Sequence, residues 1–300
     1  MPGIFTIIKK EVSDAITNRS FLLSFGILLL CMVLAGFAAG NAFNSQRMAA
    51  SRDRLLILSD IAPIITLLGA LVAVALGFNS INKERPEGSL KVMLSYPIYR
   101  DQIILGKLLG NLIITTLATT ASTAISLAFY LQITKILLDP EMLIRYTTLT
   151  FLAILLLGGY LGLSILLSAY FNDPKTTLLV TFLFLGVFNS ETLYSYGQIF
   201  SNLVYGNQLR VFGPGGSVPT YPPAKAIQDF ISSLSPAWDF NTFSINLGNY
   251  LQPYTTNNIV INTRFWDLVT NNLVYLPVLI LLPLATFIGC YILFTRTDID

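Results

Sequence analysis

Five stretches of this chain run 18 to 24 residues without a charged side chain: Phe21 to Gly40, Ile61 to Phe78, Leu108 to Leu131, Thr147 to Tyr170 and Leu273 to Phe294. About 20 apolar residues are enough to cross the hydrocarbon core of a bilayer as a helix. A sixth run starts at Thr177 and stays apolar to Phe188, where Asn189, Ser190 and Glu191 interrupt it before a mixed stretch to Tyr205. Only 11% of the residues are charged, against about 25% in ordinary soluble domains. A water-soluble fold is therefore excluded. The reading is an all-α membrane protein with six transmembrane helices. The first run is too long for the 7 to 15 residues of a secretory signal core, so it reads as a retained span.

The residues that are missing narrow the chemistry. There is no histidine, which removes histidine-based hydrolases, His-Glu-x-x-His zinc sites and histidine-ligated haem. Cys31 and Cys290 both lie inside apolar runs and read as packing residues, not as a disulfide or a metal site. No catalytic residue and no metal ligand set is expected. A net charge of +2, scattered along the chain, gives no footprint for nucleic acid.

Sidedness follows from lysine and arginine. With the amino terminus inside, Lys9, Lys10, Arg19, Lys83, Arg85, Lys91, Arg100, Lys107, Lys175 and Arg296 fall on the cytoplasmic side, and the other eight spread over longer external loops. Both termini are expected in the cytoplasm of a multi-pass cell-membrane protein. Residues 1–20 place Ile4, Phe5, Ile8, Val12, Ala15 and Ile16 at helical spacing, with Lys9, Lys10, Glu11 and Asp14 mostly elsewhere, as in a helix lying in the membrane interface. An external loop region of about 204–271 opens with glycines and prolines. It then offers Ile227, Phe230, Ile231 and Leu234 as the face of a short helix ended near Pro236.

The loop between the second and third spans carries most of the information. It reads Asn82-Lys-Glu-Arg-Pro-Glu-Gly-Ser-Leu-Lys-Val-Met-Leu-Ser-Tyr-Pro-Ile-Tyr-Arg100. Pro86 suits the first turn of a helix and Glu87 suits its positive end. Leu90, Met93 and Leu94 share a face, and Pro97 ends it. A solvated turn could also join two spans, but it would not need that apolar face.

These residues resemble a known family. The pattern Glu84-Arg-Pro-Glu-Gly-Ser-Leu, then Leu94-Ser-Tyr-Pro-Ile, Arg100 and Gly106-Lys107, is similar to the coupling-helix region of ABC-2 type transporter permeases, notably those of nitrous oxide reductase maturation and gliding motility. Ile7-Ile-Lys-Lys-Glu-Val resembles the family's amphipathic connecting helix, and Leu234-Ser235-Pro236 a motif of its external region; Ser89 stands where threonine is common. The resemblance divides the chain into a connecting helix (1–20) and a transmembrane domain (21–300). It implies a permease subunit of an ATP-binding cassette exporter, paired with nucleotide-binding ATPase subunits and with a second permease subunit in the lipid membrane. Glu84, Arg85, Glu87, Gly88, Leu90, Lys91, Leu94 and Arg100 would form or support the ATPase contact. ATP and Mg would sit on the partner. The one Gly-Lys pair, Gly106-Lys107, has Asp101 and Leu108 where a phosphate-binding loop needs Gly and Ser or Thr. The chain itself is then not an enzyme. An ion-gradient-driven secondary transporter or channel is the alternative, set back by spans nearly bare of charge and without a half-to-half repeat.

Two features inside the runs bear on packing. Gly36/Gly40, Gly106/Gly110 and Gly158/Gly162 are pairs that allow close helix contact, expected within one subunit. Glu191 is the ionisable residue to watch in the membrane, and the simplest reading ends the span before it.

Overall fold

The computed structural model describes residues 2–45, 56–82, 100–205, 210–213, 216–219, 222–248, 251–252, 261–262 and 265–296. Helix α1 (Pro2–Thr17) is followed at once by α2 (Arg19–Ser45), where the side chain of Asn18 accepts the amide of Ser20 (3.0 Å) as an N-cap. The second run forms α3 (Leu56–Ile64) and α4 (Ala70–Gly77), joined by a π-helical turn at Ile65–Gly69 just after Pro63. Proline removes one helical hydrogen bond there, and the looser turn absorbs the mismatch. Helix α5 is Arg100–Thr134 and α6 is Pro140–Tyr170. Helices α7 (Pro174–Val187) and α8 (Ser190–Tyr205) follow. α6 and α7 both start on an Asp-Pro pair; Asp173 caps α7 by accepting the Thr176 amide.

Among the described residues, five helices are long and apolar enough to cross a membrane: Arg19–Asn44, Ile57–Gly77, Asp101–Thr134, Pro140–Tyr170 and Leu273–Thr295. A sixth span is added if α7 and α8, bent by 52° at Phe188–Asn189, are one broken crossing. The runs read from sequence are all present, lengthened by the turns that carry them out of the apolar layer. The 35 residues of α5 give a rod of about 52 Å, well beyond the ~30 Å hydrocarbon core.

Helix α6 is the axis of the bundle. Of its most apolar window 72% is buried, against 28% for α2 and 17% for the last helix, α12 (Leu276–Arg296). α12, α4, α5 and α7 pack around it. Each expected glycine pair is a contact within this chain. A Cβ on Gly40 would meet Ile133, one on Gly159 would meet Leu282, and one on Gly162 would meet Phe287. Contacts Gly69–Leu157 and Gly77–Ser164, and Gly159–Leu282 and Leu166–Gly289, make α4 and α12 run parallel to α6. Tyr146 and Thr150 meet Thr123 while Gly158 meets Leu112, which makes α5 antiparallel to it. α1 and the last turns of α4, α6 and α12 therefore share one end of the bundle.

The opposite end is closed by a cap of α9 (Pro222–Ser232), α10 (Pro236–Gly248) and α11 (Phe265–Asn271), with two short antiparallel hairpins, Arg210–Gly213 with Gly216–Pro219 and Leu251–Gln252 with Ile261–Asn262. The face expected to seat α9 does not do so: Phe230 and Leu234 are exposed, while Gln228 and Ser232 are buried, with Gln228 against Gly197 of α8. A small polar seam holds this helix; of its apolar stripe Phe230 and Leu234 face outward, and Ile227 and Ile231 are half-buried. α10 buries Pro236, Ala237, Phe240, Phe243, Ser244 and Leu247 on one face, against α3, α6 and α12. Ser244 donates to the Leu58 carbonyl, and Arg145, fully buried in α6, donates to the Leu247 carbonyl (2.9 Å) while paired with Glu141 (2.6 Å).

The Leu234-Ser235-Pro236 motif has a physical role in this cap. Ser235 Oγ accepts the Trp238 amide (3.1 Å) as the N-cap of α10 and donates to the carbonyl of Phe188 (2.7 Å), at the break between α7 and α8. Trp238 stacks on Tyr194 of α8 at 5.1 Å. Beside them Asp239 is fully buried, with no partner for either oxygen among the described residues, and burial pushes its carboxyl up to about 8. Glu191 lies exposed in the first turn of α8.

Candidate partner-docking site

The docking residues read from sequence, Glu84, Arg85, Glu87, Gly88, Leu90, Lys91 and Leu94, lie outside the described residues; Arg100 opens α5, and its side chain lies outside them too. The roots of the segment, residues 77–82 before it and 100–111 after it, are described. They show how it is mounted.

The root leading into the segment is fixed from one side. The amides of Ile81 and Asn82 both donate to Ser168 Oγ of α6 (3.3 Å each). Asn82 is 2% exposed. With its amide turned to satisfy both atoms, its nitrogen donates to the carbonyls of Phe171 (2.7 Å) and Ser168 (3.0 Å), and its oxygen accepts from Thr177 Oγ1 of α7 (2.9 Å). The chain therefore leaves the second span clamped to the turn between the fourth and fifth.

The root leading out is fixed from the other side. α1 lies along α5, with Ile7 over Gly106 and Glu11 over Gly110; a Cβ on either glycine would stand 2.6 or 2.7 Å from those side chains. Glycine lets the two backbones approach this closely. Between the glycines Lys107, 1% exposed, pairs with Glu11 at 2.7 Å and donates to the Ser80 carbonyl at 3.0 Å. One ammonium thus joins α1, the end of the second span and the start of the third. A cavity of about 300 Å³ lies beside it, lined by Glu11, Asp14, Asn79, Ser80, Lys107 and Asn111 among others. Among the described residues, Asn79 Oδ1, Ser80 Oγ and Asn111 Nδ2 are buried without a partner.

The sequence reading differs here in two respects. Glu11 was expected off the apolar face of α1, yet it is buried, and Phe5 and Ile16 of the expected face are 72% and 56% exposed. The inward stripe is Ile7, Glu11 and Ala15, because Lys107 makes a charge affordable there. Glu191 was expected to be the ionisable residue of note in the membrane, whereas the candidate spans also contain Asp60, Lys107 and Arg145. The available signal was a lysine framed by Gly106 and Gly110, with an acid on the neighbouring amphipathic helix. A charge in an apolar run calls for a partner.

Residues 5–299 match the family model described as ABC-2 family transporter protein. The chain belongs to that family. Within it, a protein of Pseudomonas aeruginosa named Probable ABC transporter permease protein NosY is 32% identical over 114 residues, 37% of this chain and 39% of the relative. The protein of the same name from Stutzerimonas stutzeri matches equally. The matched part spans about two fifths of these relatives.

Proposed function

We propose that this ABC-2 family protein is the transmembrane permease subunit of an ATP-binding cassette exporter, coupling ATP hydrolysis on a partner subunit to substrate movement across the cell membrane. Residues 84–100 are the docking foot. ATP and Mg belong to the partner ATPase, the chain itself performs no catalysis, and a second permease copy or related chain completes the pathway. The bundle end that carries α1 and the last turn of α12 faces the cytoplasm.

The observation that carries this reading is the mounting of the segment. Both of its roots are tied by buried polar contacts to different helices: Asn82 to α6 and α7, and Lys107 to α1 and the end of the second span. A plain connecting loop needs no such anchors, whereas a segment pushed by a motor must hand its displacement to several spans. Electrostatic fit governs recognition at such a surface, which assigns Glu84, Arg85, Glu87, Lys91 and Arg100 to partner choice and Leu90, Met93 and Leu94 to packing, with Gly88 supporting the contact.

The test is co-purification. The wild-type chain is expected to hold an ATPase through detergent extraction. Glu87→Arg and Leu90→Asp should release it while the permease keeps its elution volume and melting temperature. A wild-type chain that holds no ATPase, or that conducts ions alone in lipid vesicles, overturns the reading.

A further inference from the structure

The Lys107–Glu11 pair is an expensive way to hold a helix. Both charges leave water, and the recovered attraction seldom repays that cost better than apolar packing would. α1 does not need it for adhesion, since Gly106 and Gly110 already seat Ile7 and the stem of Glu11. What the pair adds is register. Sliding α1 along α5 would separate opposite charges where little water screens them, and would also pull Lys107 from the Ser80 carbonyl.

The surroundings allow a second arrangement. A lysine ammonium has three donors and turns freely on its stem. The cavity beside it carries Asn79 Oδ1 and Ser80 Oγ, both buried acceptors without a partner among the described residues, and the carboxylate of Asp14. Lys107 can therefore change acceptors without being left bare. That is the property required of a joint with two discrete states.

We infer that Lys107 and Glu11 are positioning residues for coupling: their pair yokes α1 to both roots of the 83–99 segment, so that displacement of that segment by an ATPase moves α1 as well. This rests on the permease reading above.

The experiment uses the full chain with its bound ATPase in lipid nanodiscs. Hydrogen exchange of residues 4–16 is followed with ADP, and again after trapping with MgATP and vanadate. Trapping is expected to change exchange in residues 4–16 several-fold in the wild type. Glu11→Lys and Lys107→Glu should abolish that change while the ATPase stays bound and hydrolyses ATP, and the exchanged pair Glu11→Lys/Lys107→Glu should restore it. Rescue by exchange separates positioning from simple loss of packing. Should the single reversals not fold, the neutral pair Glu11→Gln/Lys107→Met leaves no charge stranded; it is expected to bind the ATPase and lose the response. An unchanged α1 in the trapped wild type, or a full response in either the reversed or the neutral variants, overturns the inference. Failure of the wild type to hold any ATPase overturns the permease reading instead.

Discussion

The two ends of the bundle are built by different means. At the α1 end a buried ion pair, Lys107 with Glu11, joins two helices beside a polar cavity, and a clamped asparagine, Asn82, holds the neighbouring root. At the cap end, side chains reach backbone carbonyls: Ser235 to Phe188 and Arg145 to Leu247, both at C-terminal helix ends that leave carbonyls open, and Ser244 to Leu58 in the first turn of α3. Carbonyl bonds of this kind close a surface and satisfy polar groups in an apolar layer. An ion pair with spare acceptors beside it fixes a register that can be changed. The contrast assigns movement to the first end and closure to the second.

The largest effect is expected at the α1 end. Lys107→Met strands the Glu11 carboxylate and should cost about 3–5 kcal/mol in thermal unfolding, most of it recovered in Glu11→Gln/Lys107→Met. A small loss in the single variant would remove the distinction between the ends. Arg145→Met, at the cap end, leaves Leu247 and Glu141 without their donor, and should cost about 1.5–3 kcal/mol by the same measurement. It should leave ATPase binding unchanged.

The third prediction concerns pH and the cap. Burial raises Asp239 to about 8 from the usual 3.8, so the folded protein keeps a proton that the unfolded chain releases. Stability contributed by the neutral carboxyl is full at low pH, falls as pH rises through that window, and levels off above about 8. Asp239→Asn should flatten the fall of melting temperature between pH 5.5 and 8.5. An unchanged slope would mean that the group is not neutral in the fold. The smallest effect is Ser235→Ala, which loses an N-cap and the Phe188 contact. It should cost about 1 kcal/mol and loosen α10 without moving the α1 end.

Much of this architecture was legible because apolar length is a strong signal. The spans, the amphipathic start and the intramolecular glycine pairs all follow from spacing along one helix. The cap was less so. α10 buries Asp239 and Ser244 on its packed face, which breaks the apolar pattern that would have marked it, while α9 turns Phe230 and Leu234 of its apolar stripe outward. The roles of Glu11 and Lys107 were hidden for a related reason. Each looks like an ordinary surface charge until the other is placed beside it, and that pairing depends on how α1 folds back along α5. The docking residues 84–94 themselves are read from their motif, and only their mounting comes from the structure.

The central claim, that the segment between the second and third spans receives an ATPase at the α1 end, is tested most directly by photo-crosslinking in native membranes. A photoreactive phenylalanine at position 90 should capture an ATP-binding subunit, while the same residue at Leu137, exposed between α5 and α6 at the other end, should capture none. Capture from position 137 alone, or labelling of position 90 by reagents confined to the outside of the cell, would contradict the account.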